Sequence, residues 1–143
     1  MDNSVICVVG PTACGKTKMG VALAQRFGGE VVSVDSMQIY RGMAIGTAAP
    51  TAEEMEGVPH HMVAVADPAE SWSVARYVRE ADACVQDILR RGKLPILVGG
   101  TGLYVQSFLY GVRFTAEKAP DGLREQLAAE LAEKGPAALY EEL

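Results

Sequence analysis

The sequence predicts an α/β protein: a P-loop NTPase-like core with a parallel sheet flanked by helices, followed by the start of a helical segment. Three observations predict it. Short apolar runs end at glycine or aspartate, as buried parallel strands do. Between them lie stretches with apolar residues at helical spacing. The first strand–helix junction is Gly10-Pro11-Thr12-Ala13-Cys14-Gly15-Lys16-Thr17, which fits the phosphate-loop pattern G-x-x-x-x-G-K-[ST] in full.

The elements follow in order. Val5–Val9 is the first strand. Lys16–Phe27 is a helix whose apolar stripe is Met19, Leu23 and Phe27, stopped by Gly28-Gly29. Glu30–Val34 is the second strand and ends at Asp35, completing a βαβ unit. Residues 41–70 are rich in glycine and proline and predict a long loop with one helical turn near Ala52–Glu56; a loop of that length in a compact domain is usually functional or mobile. Val74, Tyr77, Val78, Ala81, Val85 and Ile88 predict a helix that starts near Ser71–Ser73 and stops at Arg90-Arg91-Gly92. Leu94–Val98 is a third strand, Gly99–Gly102 a turn, and Leu103–Tyr110 a helix. The character changes after Val112, so residues 1–112 form the core and 113–143 the start of a helical segment. There Pro120-Asp121 opens a helix with Leu123, Leu127 and Leu131 on one face, Gly135-Pro136 ends it, and a short helix follows over Ala137–Leu143.

Composition narrows the function. With 143 residues, 49% of them hydrophobic, the chain can bury a core. No apolar run is long enough to span a membrane, and the N-terminus lacks the features of a signal peptide, so the expectation is a cytoplasmic protein with no membrane partner, and a monomer. Cys7, Cys14 and Cys84 form no C-x-x-C pair, which speaks against a disulfide framework or a zinc site. The net charge is −5, and residues 1–50 hold four basic and three acidic side chains. A broad nucleic-acid surface is usually basic, so this chain by itself is expected to hold RNA weakly.

Chemistry concentrates at the carboxyl ends of the strands, where open α/β sheets bind ligands. The glycines of residues 10–17 let backbone N–H groups turn toward an anion, the helix N-terminus adds partial positive charge, Lys16 adds a full one, and the Thr17 hydroxyl suits Mg²⁺. Cys14 reads as a small filler in that loop. Asp35 is a magnesium-binding acid, a proton acceptor for a second substrate, or a helix cap. Thr101 is either a site residue at the same edge or an ordinary cap of the helix after it. Arg41 is either a phosphate contact or a surface arginine. His60-His61 has no evident third ligand and alternates in direction on an extended chain, which argues against a metal site.

Taken together these segments resemble one family, the tRNA dimethylallyltransferases. The resemblance is carried by the loop Gly10–Thr17, by Asp35-Ser36-Met37-Gln38-Ile39-Tyr40-Arg41-Gly42-Met43, by Ile45-Gly46-Thr47-Ala48, Pro59-His60-His61 and Asp67-Pro68, and by Val98-Gly99-Gly100-Thr101-Gly102-Leu103-Tyr104. It implies transfer of a dimethylallyl group from dimethylallyl diphosphate to N6 of an adenine beside the anticodon of tRNA. Gly10, Pro11, Thr12, Ala13, Cys14, Gly15, Lys16 and Thr17 would hold the diphosphate with Mg²⁺ at Thr17. Asp35, Thr101 and Lys16 would be catalytic. Asp35, Ser36, Met37, Gln38, Thr101 and Arg124 would meet the anticodon stem-loop. Ala44 and Ala49 stand where the family often has Asp and Lys. Members of the family are much longer, so the chain reads as its N-terminal part, with impaired activity on its own. The motifs taken one by one leave open a P-loop small-molecule kinase or NTPase, and a non-catalytic nucleotide-binding module.

Overall fold

The structure, a computed structural model, describes residues 4–43, 45–112 and 121–141. The elements are β1 (Ile6–Val9), α1 (Lys16–Phe27), β2 (Gly29–Val34), α2 (Ala52–Met55), β3 (His60–His61), α3 (Val74–Arg90), β4 (Leu94–Gly99), α4 (Gly102–Leu109), α5 (Leu123–Lys134) and α6 (Pro136–Glu141). The chain falls into two compact units, Met1–Arg113 and Phe114–Leu143.

In the first unit the strands form one parallel sheet in the order β1-β4-β2-β3. Their side chains alternate between two cores, as a period of two requires. Ile6, Val8, Val31, Ile96 and Val98 pack with Val21 and Ala24 of α1. Cys7, Val32, Val34 and Leu97 pack with Tyr77, Ala81, Val85 and Ile88 of α3 and Tyr104 of α4. Each fully buried aliphatic side chain contributes about 1.5–3 kcal/mol, so the inner strands β2 and β4, buried almost throughout, contribute heavily to the core together with α3. Tyr77 stacks on Tyr104 at 4.3 Å and donates its hydroxyl to the Ser33 carbonyl at 2.9 Å, which ties α3 to α4 and to β2. Burial pushes the Tyr77 hydroxyl well above its ordinary pKa.

Of the apolar stripe expected on α1 only Leu23 packs against the core. Met19 and Phe27 are more than half exposed, and the residues turned to the sheet are Gly20, Val21 and Ala24. The helix lies so close to β4 that a Cβ on Gly20 would stand 2.5 Å from a methyl of Val98. Small residues therefore set the contact, with Leu23 at its margin, and Met19 and Phe27 are turned outward.

The loop expected over residues 41–70 does contain a turn of helix, α2, closed by a capping box between Thr51 and Glu54. It also contains β3, which no run of apolar residues announces. His60 and His61 pair with Val31 and Val32, and both rings are committed: His60 Nδ1 lies 2.8 Å from the Val58 carbonyl and His61 Nε2 2.7 Å from Glu30. Gly29 belongs to β2 rather than to the helix stop, because a Cβ there would meet the Leu94 carbonyl at 2.5 Å. In the second unit α5 begins at Leu123 behind Gly122, whose φ is +86°. Pro120, expected to open that helix, lies outside the described residues. None of α5's residues is buried, the leucine face included. No helix among the described residues is long and apolar enough to cross a membrane.

Candidate functional site

The register of the sheet builds the site. Val9 of β1 lies opposite Gly99 of β4, and Gly99 opposite Val34 of β2, so all three strands end in one row. The next residues in the chain are Gly10, Gly100 and Asp35, which brings the phosphate-loop turn, the glycine turn and the acid to one sheet edge. Glycine is needed in that row: a Cβ on Gly99 would lie 2.0 Å from the Val34 carbonyl oxygen, and one on Gly100 would lie 3.1 Å from that of Gly10.

Residues 10–17 make the turn into α1, with Ala13 and Gly15 at φ +61° and +87°. Gly15 caps the helix by conformation alone, without a side-chain bond, so the first N–H groups of α1 have no such cap to compete with an anion. Lys16 folds back over the turn. Its ammonium donates to the Pro11 carbonyl and stands 3.8 Å from the Cys14 sulfur. Cys14 lies against Gly10, where a Cβ would be 3.0 Å from its Sγ.

Asp35 accepts hydrogen bonds at Oδ1 from the N–H groups of Met37 and Gln38, at 2.8 and 3.1 Å. It therefore does the work of a cap, but with one oxygen only. Among the described residues Oδ2 has no partner. Thr101 stands at the head of α4 without capping it; its Oγ1 accepts instead from the N–H of Ser36 at 3.1 Å. The hydroxyl proton of Thr101 remains free to donate, and the bond joins the two turns on either side of the edge. Behind them, Ile39 is fully buried, and residues 38–41 pair with Ala64–Ala66 through backbone bonds. Arg41 serves that pairing, donating through Nε and Nη2 to the carbonyls of Ala64 and Val65 at 3.2 and 3.3 Å.

These elements enclose a crevice of about 970 Å³. Of the residues singled out from the sequence, Thr12, Ala13, Gly15, Lys16, Thr17, Asp35, Met37 and Gln38 line it; Gly10, Pro11, Cys14, Ser36 and Thr101 are not among the lining residues. Arg124 is exposed on α5 in the second unit. Two parts of the crevice had no site role assigned from the sequence, although the first lies within segments that carry the family resemblance. Met43, Gly46, Thr47 and Ala48 form a wall, and Glu53, Glu54 and Glu56 at α2 give another wall negative charge. A bond of 3.0 Å from Gln25 to Glu56 fastens that acidic turn to α1. Val21, Met37, Met43 and Val98 add apolar surface beside the phosphate loop. The site thus offers cationic and N–H donors for an anion, an apolar patch, and a carboxylate and hydroxyl for a polar partner.

Comparison with known proteins shows the family and the fold. The IPP transferase family model matches residues 38–143, and the isopentenyl transferase model matches residues 3–64. A tRNA dimethylallyltransferase of Geobacillus thermodenitrificans is 50% identical over 143 residues, which is 100% of this chain and 45% of that protein. One from Oceanobacillus iheyensis is 49% identical over the same span and is covered to 46%. The crystal structure of the full-length tRNA isopentenylpyrophosphate transferase from Bacillus halodurans superposes with a TM-score of 0.79 at 48% identity, over 99% of this chain and 46% of that one. A eukaryotic dimethylallyltransferase acting on tRNA superposes at 0.76 with 37% identity, over 92% of this chain and 32% of that one. The chain spans just under half the length of the curated relatives it matches.

Proposed function

Because the chain belongs to the IPP transferase family, we propose that it is the donor-binding part of a tRNA dimethylallyltransferase, which moves a dimethylallyl group from its diphosphate to N6 of an adenine beside the anticodon. The observation that carries this reading is the single row in which the phosphate loop, Asp35 and the turn at Gly99 and Gly100 meet at one crevice. The loop N–H groups and Lys16 bind the diphosphate once the ammonium leaves the Pro11 carbonyl. The allylic C–O bond breaks with its electron pair passing to the diphosphate, and the charge that develops there is stabilised by these donors. The N6 lone pair forms the new C–N bond, and its proton passes to Asp35, whose Oδ2 is open while Oδ1 holds the carboxylate in place. Thr101 keeps the Asp35–Gln38 turn against the sheet edge and has a proton to donate to the base. The adenine must leave its stack to reach a crevice of this kind.

Mg²⁺ fits this donor set. Among the described residues no three His, Cys, Asp or Glu side chains converge, so a cation here would be shared between the Thr17 hydroxyl and the oxygens of the substrate, as Mg²⁺ commonly is. When bound it would offset charge on the leaving diphosphate. The stem-loop contacts of Ser36, Met37 and Arg124, the monomeric state and a cytoplasmic location belong to the same reading.

Calorimetric titration tests it. Dimethylallyl diphosphate with Mg²⁺ is expected to bind at least as well as ATP, and Lys16→Ala to weaken it by about 10–100-fold, the worth of one charged hydrogen bond. Binding of ATP with steady hydrolysis, and none of the prenyl diphosphate, would replace the reading with a P-loop kinase or NTPase.

A further inference from the structure

We propose that Gln38 is a positioning residue, whose carboxamide hangs the crevice wall at Thr47–Ala48 from the end of β2. The resemblance places Gln38 among residues that meet tRNA. Its polar atoms are otherwise engaged. Oε1 accepts from the Ser33 hydroxyl at 3.1 Å, and Nε2 donates to the carbonyls of Thr47 and Ala48 at 3.3 and 3.2 Å. A carboxamide has only two N–H protons, and both are used, so a base could be met only through the second lone pair of Oε1. The Ser33 hydroxyl, which donates, and two carbonyls, which only accept, are satisfied together by a single orientation of the amide.

The segment held in this way behaves as one piece. Thr47 bonds to the Met43 carbonyl through both its N–H, at 3.1 Å, and its hydroxyl, at 2.8 Å. Ala48 follows at φ +50°, a left-handed conformation that an alanine keeps only when its surroundings hold it. Met43, Gly46, Thr47 and Ala48 line the crevice together with Lys16 and Thr17. Ser33 is itself fixed: it is 3% exposed, and its carbonyl accepts from Tyr77. A chain of bonds therefore runs from α3 through Ser33 and Gln38 to the crevice wall. Without it, that wall has no described side-chain bond to the sheet. The role rests on the reading of the crevice as the diphosphate site, but the bonds that define it do not.

Hydrogen exchange on the 143-residue chain tests the proposal. In Gln38→Ala and Gln38→Glu the amide of Thr47 is expected to exchange about tenfold faster or more, because two hydrogen bonds are lost, while amides of β2 and β4 keep their protection. Unchanged exchange at Thr47 in both variants overturns it. If Gln38→Ala strips protection from the sheet as well, Ser33→Ala decides: acceleration at Thr47 over an intact sheet upholds the link, and none breaks it. Titration with dimethylallyl diphosphate and Mg²⁺ adds an independent readout, since a loosened wall lowers affinity whether or not tRNA is present. Failure of the native chain to bind any diphosphate would defeat the functional reading, and the exchange result would still decide the role of Gln38.

Discussion

Two acids stand at opposite ends of the same strand and are treated in opposite ways. Glu30, near the start of β2, is 2% exposed and saturated: Arg91 grips it at 2.5 and 2.8 Å, Lys93 at 2.8 Å and His61 at 2.7 Å. Asp35, immediately past the end of β2, is half-buried, and only its Oδ1 is bonded. A carboxylate whose lone pairs are all matched holds a structure together and has nothing left to offer. A carboxylate fixed by one oxygen and open at the other is oriented and still available. The difference separates the scaffold end of the sheet from the working end.

Substitutions of the two acids should fail in different ways. Asp35→Asn keeps an oxygen to cap Met37 and Gln38, so the stability read from denaturant melts should stay within about 0.5 kcal/mol. In a full-length version the rate of prenyl transfer should fall about 10²–10⁴-fold if Asp35 takes the proton. A loss of Mg²⁺-dependent diphosphate binding in the same variant would reassign Asp35 to the metal. Glu30→Gln should leave diphosphate binding unchanged and cost about 2–3 kcal/mol of stability, less than a fully buried pair loses, because Arg91 and Lys93 reach solvent. If Glu30→Gln weakens the ligand and spares stability, the division of the strand into two ends is wrong.

The pH dependence sharpens the same contrast. The Arg91 guanidinium, and then Lys93 and His61, hold the Glu30 carboxyl well below its ordinary value of 4.5 in spite of its burial. A carboxyl depressed on folding contributes stability that is complete above its unfolded pKa and is lost as pH falls toward the folded one. Between pH 7 and 5 Glu30 should therefore add no slope to stability. Below about 4.5 the native chain should lose up to about 1.4 kcal/mol per pH unit through this group, and Glu30→Gln should lose that much less. Parallel curves for the two proteins below pH 4.5 would mean that the network does not hold the charge.

The working end was much more legible in the sequence than the scaffold end. The phosphate loop, the strand before it and the helix after it are contiguous, and Asp35 and Thr101 directly follow apolar strands, so their place at the edge follows from chain order in a parallel sheet. The Glu30 network is scattered over positions 30, 61, 87, 91 and 93. Only the pairing of β2 with β3 and β4 brings them together, and β3 is a two-residue strand within a glycine- and proline-rich stretch. The buried face of α1 was hidden for another reason: close approach at Gly20 makes the small residues the inner ones. The part played by Gln38 depends on a loop returning to β2, which periodicity does not encode.

The smallest effect expected concerns the three cysteines. Cys14 is exposed in the phosphate loop, whereas Cys7 in β1 and Cys84 in α3 are partly buried. Burial pushes the Cys7 thiol up, and it pushes Cys84 up with help from Glu80 and Asp87. A raised thiol holds less thiolate at a given pH, and thiolate is the form that reacts. At pH 8, iodoacetamide should therefore label Cys14 several-fold faster than the other two, as read by peptide mass mapping. Cys14 also reports on the site, because its sulfur lies between Gly10 and the Lys16 ammonium. On the proposed reading, dimethylallyl diphosphate with Mg²⁺ would cover the loop that holds Cys14, so labelling of Cys14 should slow while that of Cys7 and Cys84 stays as it was. Equal rates at all three would show that the loop and the two packed elements are equally open to reagent. Faster labelling of Cys14 without protection by ligand would separate the exposure of this loop from diphosphate binding, and would place the donor elsewhere in the crevice.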